Sequence, residues 1–147
     1  MKILILIFSI VCVLGCSVDY ISEEPYYNDV WLEVYYTISP ISDQEQWGRV
    51  DYWETPDELN STHEADCEGY CMQFLDLLYK ETGYFGEMCI IKYPTYWKQH
   101  AIIKIGDVYL EPQIYGLTYD LEDISILFTY TYEELLFVAT YIRAIEQ

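Results

Sequence analysis

The sequence predicts a mixed α+β domain in which a helix precedes an antiparallel sheet. Three observations carry this. Cys67, Tyr70, Cys71, Phe74, Leu77 and Leu78 recur at spacings of three and four, which marks an amphipathic helix over residues 67–81 with Gly83 as its stop. Residues 88–93, 100–105 and 108–112 are short apolar, β-branched runs, and Gly106-Asp107 joins the last two with two-residue hairpin chemistry. Thr131-Tyr132-Glu133-Glu134 reads as a capping box opening a final helix, with Leu135, Leu136, Ala139, Ile142 and Ile145 facing inward.

The elements follow in order. Lys2 and the apolar stretch from Ile3 to Leu14 have the form of a signal peptide over residues 1–15, too short for a comfortable bilayer span. Val13-Leu14-Gly15-Cys16 resembles a bacterial lipobox, with Cys16 as the lipid acceptor. A diacylglyceryl group and an N-acyl chain there would give stable membrane anchoring. Residues 16–27 then form an acidic tether, and residues 28–147 form one domain. Residues 28–38 alternate, with Val30, Leu32, Val34, Tyr36 and Ile38 on one face, which favours a strand over an early helix. Residues 40–52 read as loop. Thr55-Pro56-Asp57-Glu58 is a helix start, with Thr55 as N-cap and Glu58 closing the box.

Composition bounds the function. The chain has 147 residues and a formal charge of −18, with no basic block, which argues against nucleic-acid or anionic-lipid recognition. Hydrophobic residues make up 52% and aromatics 18%, including 17 tyrosines, so this is a folded domain rather than an acidic tail. With Cys12 in the signal and Cys16 lipidated, Cys67, Cys71 and Cys89 remain, an odd number that leaves at least one thiol free.

Cys67 opens a helix, His100 opens a strand, and Glu111 lies on the paired strand. A thiol at a helix N-terminus has its thiolate favoured by the dipole, an imidazole can take and return its proton, and a carboxylate fixes the imidazole tautomer. Each residue also has an ordinary reading. Cys67, like Cys71 and Cys89, suits a helix or sheet core as a small hydrophobe, and Glu111 suits a solvated surface. A zinc site drawn from these cysteines and His63 or His100 lacks the paired knuckles of common sites.

A resemblance sharpens the choice. Trp47-Gly48-Arg49-Val50-Asp51-Tyr52-Trp53-Glu54-Thr55-Pro56, then Ala65-Asp66-Cys67-Glu68-Gly69-Tyr70, resembles the bacterial transglutaminase-like cysteine peptidases, as do His100-Ala101 and Leu110-Glu111-Pro112. The match runs from Trp47 to Pro112, roughly half the chain without its signal. It implies a papain/transglutaminase-like fold with Cys67 as nucleophile, His100 as base and Glu111 as third member. It also implies a peptide or protein substrate in the cell envelope. Family members bind calcium through the acids flanking the cysteine, here Asp66 and Glu68, which equally complement the helix dipole. Tyr52 and Trp53 are candidates for the substrate-groove wall, or for core.

The sequence departs from the family at Ala65 and Gly69, which stand for Gly and Asp, and at Glu111, which stands for Asp. Asp66-Cys67-Glu68-Gly69-Tyr70 also resembles the nucleophile motif of NlpC/P60 cell-wall peptidases, without their segment before the histidine. A lipoprotein that uses this fold only as a binding module is the non-enzymatic alternative. Ser17 after the lipidated cysteine gives a mild preference for the outer membrane, on the extracytoplasmic side.

Overall fold

The computed structural model describes residues 26–49, 51–94 and 98–142. The signal peptide, Cys16, all but the last two residues of the tether, and Ile145 lie outside the described residues. Among the described residues, two strips of sheet and five α-helices make a mixed α+β structure, as the sequence predicts at that level. Among the described residues, no helix is long and apolar enough to cross a membrane.

Residues Asn28–Thr37 form helix α1, not the strand that the alternation favours. Val30, Trp31 and Val34 are its buried positions, a helical spacing that the period-two pattern concealed. Strand β1 (Ser39–Pro40) pairs in parallel with β2 (Glu64–Ala65). Between them come α2 (Asp43–Gln46) and α3 (Pro56–Thr62), each opened by a capping box. Thr55 and Glu58 cap α3 as expected, whereas α2 lies in the stretch expected to be loop.

Helix α4 (Cys67–Thr82) is the central element. Asp66 caps its first turn, and Gly83 ends it in the left-handed region at φ 71°. The sheet behind it runs β5-β4-β3-β6, all antiparallel, with β3 at Glu87–Lys92, β4 at Gln99–Ile105, β5 at Val108–Leu110 and β6 at Ser125–Thr131. Gly106, at φ 57°, turns β4 into β5 as its hairpin dipeptide predicts. Helix α5 (Tyr132–Phe137) starts at the Thr131–Glu134 capping box and continues into a π-helical turn, Val138–Ile142.

Both faces of the central strands are covered. Met88, Ile90, Ala101, Ile103 and Ile105 pack with Phe74, Leu75 and Leu78 of α4 in the main core. Cys89, Ile91 and Ile102 form a smaller cluster on the other face, under Tyr93, Tyr109, Tyr119 and Ile124. Phe74 is fully buried, so Phe74→Ala should cost about 3–5 kcal/mol in urea unfolding. A loss below about 1 kcal/mol would contradict this core assignment.

Candidate active site

The β1–β2 pair fixes where α4 begins. Ser39 N–H donates to the His63 carbonyl and Ile41 N–H to the Ala65 carbonyl, both at 2.9 Å, anchoring the chain just before Asp66. The Asp66 carboxylate then accepts from the amides of Glu68 at 3.0 Å and Gly69 at 3.3 Å. The Cys67 amide is not part of this cap, which leaves it as a donor at the start of the helix.

Strand β5 pairs with Ile103–Ile105, and among the described residues no strand pairs with that edge of the first half of β4, whose other edge pairs with β3. Cys67 uses that gap: the backbone amide of Ala101 hydrogen-bonds towards its sulfur. Ala101 directly follows His100 on β4, so the thiol, carried by α4, lies against the strand residue next to His100. Continuing the β5 register past Leu110 sets Glu111 opposite Ile102, diagonal to His100 on the same face. The two side chains meet there, with His100 Nε2 and Glu111 Oε2 2.6 Å apart.

Glu111 is 2% exposed and heavily partnered. The Tyr119 hydroxyl donates to Oε2 at 2.6 Å, and the Gln113 amide donates to Oε1 at 3.0 Å. The Trp31 indole N–H holds the Glu111 backbone carbonyl at 2.8 Å. Burial pushes the Glu111 carboxyl up, but His100, Tyr119 and Gln113 together outweigh it and leave it below its ordinary value. The Tyr119 phenol is driven up by burial and by its bonds to Glu111 and Tyr93, so it stays a donor. Tyr119 was not singled out in the sequence; one Tyr among 17 carries no spacing signal.

The thiol departs from expectation. Its position at a helix N-terminus predicts a favoured thiolate, yet burial pushes the Cys67 thiol far up. The Glu68 and Asp66 carboxylates push it the same way. The thiol donates to Glu68 Oε2 at 2.8 Å. Burial first, and then adjacent anions, therefore override the dipole. Glu68 itself is pushed up to about 7 by burial and then by the charge of Asp66.

Tyr52 and Trp53 are tied into the scaffold around these acids. Tyr52 donates its hydroxyl to Glu58 at 2.9 Å and its amide to Asp43, with its ring against Trp47. Trp53 packs edge-on to Tyr130 and donates to Asp51 at 3.0 Å. Cys71 and Cys89 are buried and, like Cys67, free of disulfides.

Two acids missed in the sequence join Asp66. Asp43 of α2 and Glu54, just before α3, bring carboxylate oxygens to within 4.8 Å of one of Asp66's. The sequence signal was weak, because Asp43 sits in an apparent loop and Glu54 inside an aromatic segment. Gly69 is the reason that Glu54 fits. A Cβ at that position would lie 2.6 Å from the Ala65 Cβ and 3.0 Å from Glu54 Oε2. No protein-family model matches the chain, and no curated protein matches it.

Proposed function

We propose that this chain is a thiol acyltransferase of papain/transglutaminase-like architecture, most simply a cysteine peptidase acting on peptide or protein in the bacterial envelope. The observation that carries the reading is the His100–Glu111 contact at 2.6 Å beside the strand amide that faces Cys67. Glu111 occupies Nε2 and holds the proton there, which leaves Nδ1 as the basic nitrogen.

In the reaction Cys67 Sγ bonds to the substrate carbonyl carbon while its proton passes to His100 Nδ1. The Cys67 amide is placed to donate to the developing oxyanion. Collapse breaks the carbon–nitrogen bond, and His100 returns the proton to the departing amine. Water then attacks the thioester, gives a proton to His100, and releases the acid as the carbon–sulfur bond breaks and the thiol is restored. An amine in place of water gives transamidation by the same steps. A hard divalent cation, when bound beside Asp66, supplies counter-charge to the carboxylates around Cys67.

A second reading has its own observation. The Cys67–Glu68 hydrogen bond and the raised thiol suit a binding module that kept the fold without the chemistry. Incubating the full-length protein with peptide libraries, secreted surface proteins and purified peptidoglycan separates the readings. The proposal expects cleavage that Cys67→Ala abolishes without loss of fold. Cleavage confined to peptidoglycan would favour the NlpC/P60-like alternative. No turnover on any of the three contradicts catalysis, and turnover that survives Cys67→Ala contradicts Cys67 as the nucleophile.

Tyr119 is a positioning residue in this scheme. Its bond to the carboxylate belongs to the charge-assisted class of about 1.5–3 kcal/mol. Tyr119→Phe should lower kcat roughly tenfold with KM nearly unchanged, and should raise the acid limb of the pH–rate profile. A KM effect alone would place Tyr119 in substrate binding instead.

A further inference from the structure

The outer strands of the four-stranded sheet, β5 and β6, end it differently. The β5 edge is covered: Tyr119 N–H donates to the Tyr109 carbonyl and Glu111 N–H to the Leu117 carbonyl, both at 2.9 Å, and Leu110 bridges to Thr118. The β6 edge is open. Ser125–Thr131 pairs with β3 on one side, and among the described residues no strand pairs with the other. A strand bonded on one side turns alternate backbone N–H and C=O groups outward, a template for another strand. Folded proteins blunt such edges with charge, proline, a bulge or shortness. Strand β6 is seven residues long and carries neither charge nor proline; its irregularity is the register shift that leaves Leu127 unmatched. Ile126, Leu127 and Phe128 are exposed in succession, a pattern that patterning rules reserve for function.

The surroundings choose the occupant. Beside the C-terminal end of β6 lies an open groove of about 500 Å³, walled by Tyr130, Phe137 and Val138 and rimmed by Glu133 and Glu134. Glu134 spends Oε2 on Thr131, and neither glutamate enters an ion pair of the described residues. Asp120 and Glu122 are exposed just ahead of the strand, so acids flank both of its ends. A second copy paired edge to edge, in either direction, would set acids against acids in a chain of formal charge −18. A basic partner meets no such barrier, and a Lys or Arg stem can lie on the apolar groove wall with its charge at the rim.

We propose that the open edge of β6 docks an extended polypeptide segment with alternating apolar side chains flanked by Lys or Arg, which joins the sheet as a fifth strand. Backbone hydrogen bonds hold it, and Glu133 and Glu134 select its charge. Ala101 pairs with Ile90, and Ile90 with Phe128, so the added strand lies about 14 Å from Ala101, against which Cys67 sits. The edge is therefore separate from the reacting thiol, and the assignment stands whether or not Cys67 reacts.

The probe is a fluorescein-labelled peptide, Val-Thr-Val-Thr-Val with two arginines at each end, titrated into full-length protein and followed by polarisation. Control peptides carry glutamate in place of arginine, or N-methyl groups on every core amide. Saturable binding of one peptide per chain is expected, at least about tenfold tighter than the glutamate peptide, because like charges across an interface repel. The N-methylated peptide should not bind, and hydrogen exchange at residues 125–131 should slow when the arginine peptide is added. Glu133→Gln with Glu134→Gln, which keeps a capping side chain on α5, should weaken binding about fivefold. Phe128→Lys puts a charge on the exposed edge and should weaken it by at least as much. Cys67→Ala should bind as wild type does, so loss of docking and loss of cleavage are read separately. Absence of saturable binding overturns the proposal, as does equal affinity for either control peptide or wild-type affinity in both edge variants. Self-association in sedimentation that protects residues 125–131 would make a second copy the occupant and overturn it too.

Discussion

Glu111→Gln is expected to lower kcat/KM on any substrate the protein cleaves by about 10⁴-fold, while leaving the fold intact. The carboxylate accepts from His100 Nε2, so it keeps the ring proton on that nitrogen. A Gln amide offers a donor in the same place, which favours the tautomer with its proton on Nδ1. Such a ring cannot accept the Cys67 proton. The Trp31 bond to residue 111 uses the backbone carbonyl and survives the change, so circular dichroism should be unaltered. Activity within about threefold of wild type would remove Glu111 from the mechanism.

The second large effect concerns stability against pH in chelator. Burial first, and then neighbouring acids, push Asp43, Glu54 and Glu68 each up to about 7. Asp66 is pushed up as well, and Asp51 adds its charge to the group. Unfolded, these carboxyls titrate near about 4. Between those values the native state holds more protons than the unfolded chain, so stability falls as pH rises and the loss is complete above about pH 7. Glu111 has the opposite sign, but its lowered carboxyl acts only in acid below this window. Scanning calorimetry should therefore give a Tm at pH 8 at least about 5 °C below that at pH 5. Glu54→Gln should flatten the slope. A Tm that is constant or rising from pH 5 to pH 8 would contradict this reading of the acids.

Local chemistry made much of this molecule legible. The Thr55 and Thr131 boxes, Gly83 and Gly106 each act through one or two residues, and all four turned up in their expected roles. The His100–Glu111 meeting was readable because hairpin register fixes cross-strand neighbours by counting. Helix α1 was misread because its apolar residues fit period two almost as well as a helical period, and only packing separates them. Strand β6 was overlooked, although Ile126, Leu127, Phe128 and Tyr130 are strong strand formers. Most of its residues are exposed, so no clean alternation marks it.

The site was harder to read where it depends on distant segments. Nothing in sequence spacing brings Asp43 and Glu54 to Asp66; the β1–β2 pairing and the missing Cβ of Gly69 do that. The thiol was misjudged for a related reason. A helix terminus predicts a field from one element, whereas Cys67 sits among charges from its neighbours and under burial. The papain-like architecture and the envelope anchor rest on motif resemblance, and the lipobox lies outside the described residues.

The most direct test of the central claim is the rate of iodoacetamide modification at Cys67 from pH 5 to pH 9, mapped against the buried Cys71 and Cys89. Wild type, His100→Ala and Glu68→Gln are compared. If Cys67 and His100 act as a unit, His100→Ala slows Cys67 at least about tenfold near neutral pH. Glu68→Gln, which removes an opposing charge beside the thiol, speeds it. An unchanged rate in His100→Ala would show that the imidazole does not act on the thiol, and the acyl-transfer account would fail.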